Sequence, residues 1–409
     1  MRLEVPRRLM IWGAIALGAV LLFSGALVTQ SRRVRTRSPM FLSASPIQGS
    51  QLFQVKGCSR CHSVNGTGGK LAPDLGRSQA AEASVSQLVV AMWNHAPQMW
   101  ERMRVEKVEY PVLSYEEVAQ LLAYLYIARH ADEPGDAVRG KQLFAAKGCI
   151  RCHSVHGQGG RIGPDLAEVS GVDTPMAWTQ AMWNHSDAMQ ARMHEVKLDW
   201  PQFDNYELRD LFVYARQVSK PQLAAGDPQH GWKVFQKQSC NACHSIKDED
   251  DQRVGPNLGP SLKVPPTFTQ FGGLMLTHAP QMGRAMKEHG IERPQFAGED
   301  MADLFAFLYS LRYVEPSGSP HVGESVFSWR GCNRCHGESA QGTARAPALR
   351  GRGTGYTSVS LATALWAHGS RMYRESRALG MGWPTLSEGD VGDLLAFLNS
   401  PVQTSSGKK

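Results

Sequence analysis

Hydrophobic positions recur along this chain with the period of short amphipathic helices, set between connectors rich in glycine and proline. In residues 115–129, Leu121, Leu122, Leu125 and Tyr126 have the spacing of one buried helical face. Ser114 followed by Glu117 offers a capping box at its start. Residues 206–218, 300–311 and 390–398 repeat the pattern and predict three more helices of this kind. Each is preceded by a second helical stretch. The first reads Ala91-Met92-Trp93-Asn94-His95-Ala96-Pro97-Gln98-Met99, and its counterparts lie at 181–189, 274–282 and 364–372. A third, shorter helix is expected to open at Gly49-Ser50-Gln51-Leu52-Phe53 and again at Gly140-Lys141-Gln142-Leu143-Phe144. No β-rich stretch stands between these elements, so the fold class is all-α.

The connectors mark the units. Asp132-Glu133-Pro134-Gly135-Asp136, Gly226-Asp227-Pro228 and Glu315-Pro316-Ser317-Gly318-Ser319-Pro320 are linkers by composition. They divide the chain into 47–131, 137–219, 228–314 and 321–400, with a separate segment at 1–46. Units of roughly 80 residues have little core of their own, so a bound group is expected to supply much of it.

Each unit carries one C-x-x-C-H motif: Cys58-Ser59-Arg60-Cys61-His62, Cys149-Ile150-Arg151-Cys152-His153, Cys240-Asn241-Ala242-Cys243-His244 and Cys332-Asn333-Arg334-Cys335-His336. The motifs start 91, 91 and 92 residues apart and use all eight cysteines. Gly49, Gly140, Gly231 and Gly323 each stand nine residues before the first cysteine, with Phe53, Phe144, Phe235 and Phe327 between. A C-x-x-C-H run reads as covalent haem attachment, two thiols for two vinyl groups and the histidine as proximal iron ligand. Four covalently attached haem c groups are therefore expected. A zinc knuckle would need a second ligand pair for each motif, and a thioredoxin-like motif a βαβ setting. The formal charge of +7 omits the haem propionates, so the pI of 9.0 gives no argument for nucleic acid.

Downstream of each histidine comes Pro73-Asp74-Leu75, Pro164-Asp165-Leu166, Pro256-Asn257-Leu258 or Pro347-Ala348-Leu349. The proline carbonyl is placed to accept the histidine's ring N–H and fix its tautomer; the plainer reading is a turn proline. In the third loop Asp248, Glu249, Asp250 and Asp251 stand where the first two have glycines, which predicts a lower potential for that haem.

This layout resembles the class I cytochrome c fold: a first helix, a C-x-x-C-H loop, a distal segment and a last helix crossing the first. The resemblance covers residues 47 to about 400 and implies four tandem class I domains. It departs from the family where a ligand methionine often precedes a proline. Here Tyr110, Trp200, Arg293 and Trp383 precede Pro111, Pro201, Pro294 and Pro384.

The sixth iron ligand is therefore sought in the distal helices. Met99, Met189, Met282 and Met372 recur in all four, as do His95, His185, His278 and His368 four residues earlier, on the same helical face. A thioether raises the potential and an imidazole lowers it. The expectation is methionine, with the histidine series or the series Met103, Met193 and Met286 as alternatives; the fourth unit has Ser376 at that last place and offers Met381. Trp93, Trp183 and Trp366 are expected to pack on haem.

Residues 9–28 are uncharged and follow Arg2, Arg7 and Arg8. A helix of that length spans about 30 Å, which reads as an uncleaved transmembrane signal anchor, with a cleaved signal peptide as the alternative. The expected protein is a membrane-anchored tetrahaem carrier of a respiratory or photosynthetic chain. It would sit on the bacterial cytoplasmic membrane with its haem domains on the periplasmic side. Its partners would be a redox protein or a membrane electron-transfer complex. The alternative is a haem enzyme, a peroxidase or small-molecule reductase. Its open haem would lie in the fourth unit, where Gly369, Ser370 and Ser376 depart from the other copies.

Overall fold

The computed structural model describes residues 44–76, 84–204, 206–217, 225–247, 253–312, 317–351, 353, 355–387 and 389–401. Each repeat contributes three main helices. These are α1 Pro46–Val55, α2 Val85–Val105 and α3 Tyr115–Ala128, then α4 Ala137–Ala146, α5 Pro175–Glu195 and α6 Glu207–Arg216. The second half has α7 Pro228–Lys237, α8 Phe268–Glu288 and α9 Asp300–Ser310, then α10 Pro320–Trp329, α11 Ser358–Ala378 and α12 Asp390–Asn399. Strand structure among the described residues is confined to two hairpins in the glycine loops, Ser63–Val64 with Thr67–Gly68 and Ser154–Val155 with Gln158–Gly159.

Local sequence sets the helix starts. Ser45, Asp136, Asp227 and Ser319 each accept a first-turn backbone N–H at the head of the first helix of their repeat. Ser114 and Glu117 form the expected reciprocal capping box on α3.

Within each repeat the last helix crosses the first at the recurrent glycine. A Cβ at Gly49, Gly140, Gly231 or Gly323 would stand 2.0, 2.0, 1.9 or 1.9 Å from the carbonyl oxygen of Gln120, Asp210, Asp303 or Asp393. No larger residue fits that approach. The crossing is also pinned by polar bonds in three repeats. The carboxylates of Asp210, Asp303 and Asp393 accept the N–H of Asp136, Asp227 and Ser319 at 3.0, 2.6 and 2.7 Å. In the first repeat Gln120 donates to Gln48 instead.

The repeats are not strung out along linkers. The described residues form one compact unit, and one apolar core runs through helices of all four repeats. The long helix α2 packs on α11, joining repeat 1 to repeat 4, and α5 packs on α8, joining repeat 2 to repeat 3. Repeat 1 also meets repeat 3. The Phe268 N–H donates to the His130 carbonyl at 3.2 Å, His130 Nδ1 donates to the Pro266 carbonyl at 2.9 Å, and the Tyr126 hydroxyl donates to the Tyr309 carbonyl at 3.2 Å.

The transmembrane expectation is corrected. Among the described residues no helix is long and apolar enough to cross a membrane. The longest, α2, α5, α8 and α11, have 21 residues each but carry charges, such as Glu101, Arg102 and Arg104 on α2. Residues 9–28 lie outside the described residues, as do 248–251 of the third loop. The membrane-anchored carrier, the membrane as a partner through an N-terminal helix and the location at the cytoplasmic membrane are accordingly withdrawn.

Candidate functional site

In all four repeats the C-x-x-C-H segment makes a tight turn whose following loop folds back over the histidine. A backbone bond from each histidine N–H to the first cysteine's carbonyl closes it, at 3.0, 2.9, 2.9 and 3.0 Å for His62, His153, His244 and His336. Gly57, Gly148 and Gly331 enter the turn with φ of 82°, 77° and 77°, and Ser239 does so in the third repeat with φ of 57°. Glycine adopts this left-handed conformation without strain.

The proline carbonyl lies where the sequence places it. Nδ1 of His62, His153, His244 and His336 sits 2.9, 3.0, 2.9 and 2.9 Å from the carbonyl oxygen of Pro73, Pro164, Pro256 and Pro347. A carbonyl only accepts, so Nδ1 carries the proton and Nε2 keeps its lone pair for a metal. Burial pushes the His244 imidazole below its ordinary pKa against the pull of the Pro256 carbonyl. That favours the neutral form a metal requires.

The aspartate after the proline holds the loop in the first two repeats. Asp74 accepts from the Ser63 hydroxyl at 2.8 Å and from the N–H groups of Asn65, Gly66 and Gly76 at 3.0, 2.6 and 2.9 Å. Burial works to raise its carboxyl, but the Gly66 N–H and the three other donors outweigh it and hold the group at about 2. Asp165 is held the same way by Ser154, His156, Gly157 and Ala167. Asn257 keeps part of this, accepting from the Gly259 N–H at 2.7 Å and donating to the Lys247 carbonyl; Ala348 cannot, and the fourth loop closes instead through the Thr343 hydroxyl, which donates to the Cys335 carbonyl at 2.5 Å.

In repeat 2 these groups face a mostly apolar cavity of about 430 Å³. Cys149, Cys152 and His153 line one side, and His185, Met189 and Met193 of α5 line another. Two thiols, one imidazole with a free Nε2 and an apolar chamber fit a covalently attached haem. Lys147 and Arg192 also line the cavity, where they pair with Glu207 and Glu195. Burial pushes the first thiol of each motif up, to about 11 for Cys149 and Cys332 and about 12 for Cys240, with Cys58 raised as well.

In repeat 2 the structure thus brings one member of each distal series, His185, Met189 and Met193, to one cavity. Nδ1 of His95, His185 and His278 donates to the carbonyl of Ala91, Ala181 and Leu274, each at 2.8 Å. Met99, Met189, Met282 and Met372 are half-buried on the same helices. Met381 stands beside Gly331, at the place Leu198 takes against Gly148 on the cavity wall of repeat 2.

Trp183 is not among the residues that line the cavity of its own repeat, and Trp93, Trp183 and Trp366 reach across to another repeat. Their indole N–H groups donate across the paired repeats, to the carbonyls of Pro384, Pro294 and Pro111 at 2.7, 2.9 and 2.9 Å. The residue before each distal proline does what sequence reasoning missed. Trp200 lines the cavity and donates to the Leu276 carbonyl of repeat 3 at 2.8 Å. Its series, noted for lacking methionine, was the available signal. Gly369 has an interface reason too, since a Cβ there would meet Trp100 of repeat 1 at 2.8 Å.

A sequence profile of the cytochrome c family matches residues 47–126 and 137–219. The chain therefore contains two cytochrome c domains, with the haem-binding and redox character of that family. The expected four class I domains with a transmembrane helix are corrected to these two. The second half repeats the helices and the haem-type loop, but its loops have lost the glycine-rich sequence and the aspartate clamp. No curated protein and no solved structure matches the chain.

Proposed function

We propose that the protein is a tetrahaem electron carrier, holding one haem c in each repeat and exchanging single electrons with another redox protein. The observation that carries this reading is the bond from the motif histidine to the proline carbonyl, present in all four repeats. It persists in the two repeats that the family profile does not reach, although the surrounding loops differ. When bound, the group supplies an iron that moves between ferrous and ferric states.

The chain's own residues have separate tasks. Cys58, Cys61, Cys149, Cys152, Cys240, Cys243, Cys332 and Cys335 hold the group through thioethers. His62, His153, His244 and His336 offer Nε2 to the iron. Met99, Met189, Met282 and Met372 supply the sixth ligand in our reading. A specific observation favours a second reading. The Nδ1 bonds of His95, His185 and His278 to helix carbonyls orient those rings as such bonds orient metal-bound imidazoles. Of the three departures behind the enzyme alternative, Gly369 has a packing reason in the Trp100 contact.

Intact mass of the matured protein tests the reading. Four haems are expected, and Cys240→Ser with Cys243→Ser should remove one. Haem confined to repeats 1 and 2 would refute it. A ferric sulfur-to-iron charge-transfer band that shrinks stepwise as the four methionines become alanine would select methionine. Its absence from the parent protein would select the histidines.

A further inference from the structure

Repeats 1 and 4 meet through six aromatic side chains at equivalent positions: Trp93, Trp100 and Tyr110 from one, Trp366, Tyr373 and Trp383 from the other. Trp383 lies on Trp93 with ring centroids 4.1 Å apart and on Trp100 at 5.4 Å, and Tyr373 reaches Trp100 and Trp383 at 5.7 Å each. Tyr110 stacks on Trp366 at 4.9 Å and 16°. The contact is reciprocal. Trp93 donates to the Pro384 carbonyl and Trp366 to that of Pro111, while Trp383 donates to the Trp93 carbonyl at 3.1 Å and Tyr110 to that of Trp366.

The partition of these rings is what matters. Tyr110 and Trp383 occupy the place of Trp200, which in repeat 2 lines the haem-type cavity. Trp93 and Trp366 belong to α2 and α11, the helices that carry the distal candidates Met99 and Met372. By equivalence with Trp200, each pair joins the wall of one repeat's haem-type site to the distal helix of the other by direct ring contact.

Repeats 2 and 3 pair through the same surfaces with fewer rings: Trp183 meets the Arg293 guanidinium at 4.6 Å and the Phe296 ring at 6.1 Å. Gln190 and Gly283 stand where Trp100 and Tyr373 do, Leu276 replaces a tryptophan and Arg293 replaces a ring. A cavity of about 450 Å³ with a mixed lining, including Gln190, Gly283, Arg293, Met286 and Ile291, opens at this place.

We infer that the aromatic interface couples the haem sites of repeats 1 and 4 directly, so that electrons cross between the first and last repeats rather than following chain order. Electron tunnelling weakens steeply with the gap between groups, and packed rings leave small gaps. The rings act as a medium and are not themselves oxidised. This rests on the four-haem reading.

The test uses the full holoprotein, its haem methyl NMR signals assigned through motif variants and followed during stepwise reduction. The midpoint of haem 1 is expected to respond more to the redox state of haem 4 than to that of haem 2. Electron exchange between haems 1 and 4 should slow several-fold in Trp93→Leu and recover in Trp93→Phe, which keeps a ring under Trp383. Should Trp93→Leu fail to fold, Tyr373→Leu, at a half-buried position, makes the same comparison. A stronger interaction of haem 1 with haem 2, or exchange unchanged in a folded leucine variant, overturns the inference. A mass showing no haem in repeat 4 would instead refute the four-haem reading, and with it this one.

Discussion

His130 makes the junction between repeats 1 and 3 sensitive to acid. Its ring is buried, donates through Nδ1 to Pro266, and lies 4.4 Å from the Tyr309 ring and 5.4 Å from that of Tyr126. Burial, aided by the nearby cations of Arg129 and Arg312, pulls its pKa from 6.5 to about 4, against the Pro266 carbonyl. As the pH drops below 6.5 the unfolded chain takes up this proton first. Stability then falls until about pH 4, below which both states are protonated. At ~1.4 kcal/mol per unit, the full interval corresponds to about 3 kcal/mol. Asp132, raised by burial and bonded to Thr269, works in the opposite sense at the acid end of this window. It is present in both proteins of the comparison below, so it cancels. The assay is the denaturant midpoint of the holoprotein from pH 7 to 4, for the parent and for His130→Gln. The variant should lose about 3 kcal/mol less over that range. Equal slopes in the two proteins would show that His130 does not titrate at the junction.

Two more perturbations read the repeat itself. Gly140→Ala drives a methyl to within 2.0 Å of the Asp210 carbonyl. The overpacking cost of about 1–3 kcal/mol or more should exceed the helix-propensity gain of ~1 kcal/mol and lower the calorimetric Tm; an unchanged Tm would mean the helices can part freely. Asp74→Asn should remove stability that is present above the ordinary aspartate pKa of 3.8 and fades as the pH approaches about 2. Because this carboxylate is only partly buried and solvent screens it, the effect is about 1 kcal/mol, visible as a shallower acid unfolding curve.

The sequence alone determined what depends on short separations. The motif and its proline lie 11 or 12 residues apart, so chain geometry leaves the loop few ways to close and the histidine–carbonyl bond follows. The capping box and the helix periods are local in the same way. Gly49 and its three counterparts were visible as a series, and the close approach of the crossing helix gives the reason. Pairing is different in kind. The amphipathic pattern of α2 states that one face is buried, but the same face would fit α5, α8 or α11, since all four helices derive from one repeat. Contacts 255 to 292 residues apart decided the outcome. Gly369 leaves room for the Trp100 indole in the one interface, whereas Gly283 leaves room for the Arg293 guanidinium, 2.9 Å from where its Cβ would stand, in the other. Such complementarity belongs to two surfaces at once, and neither segment's sequence contains it.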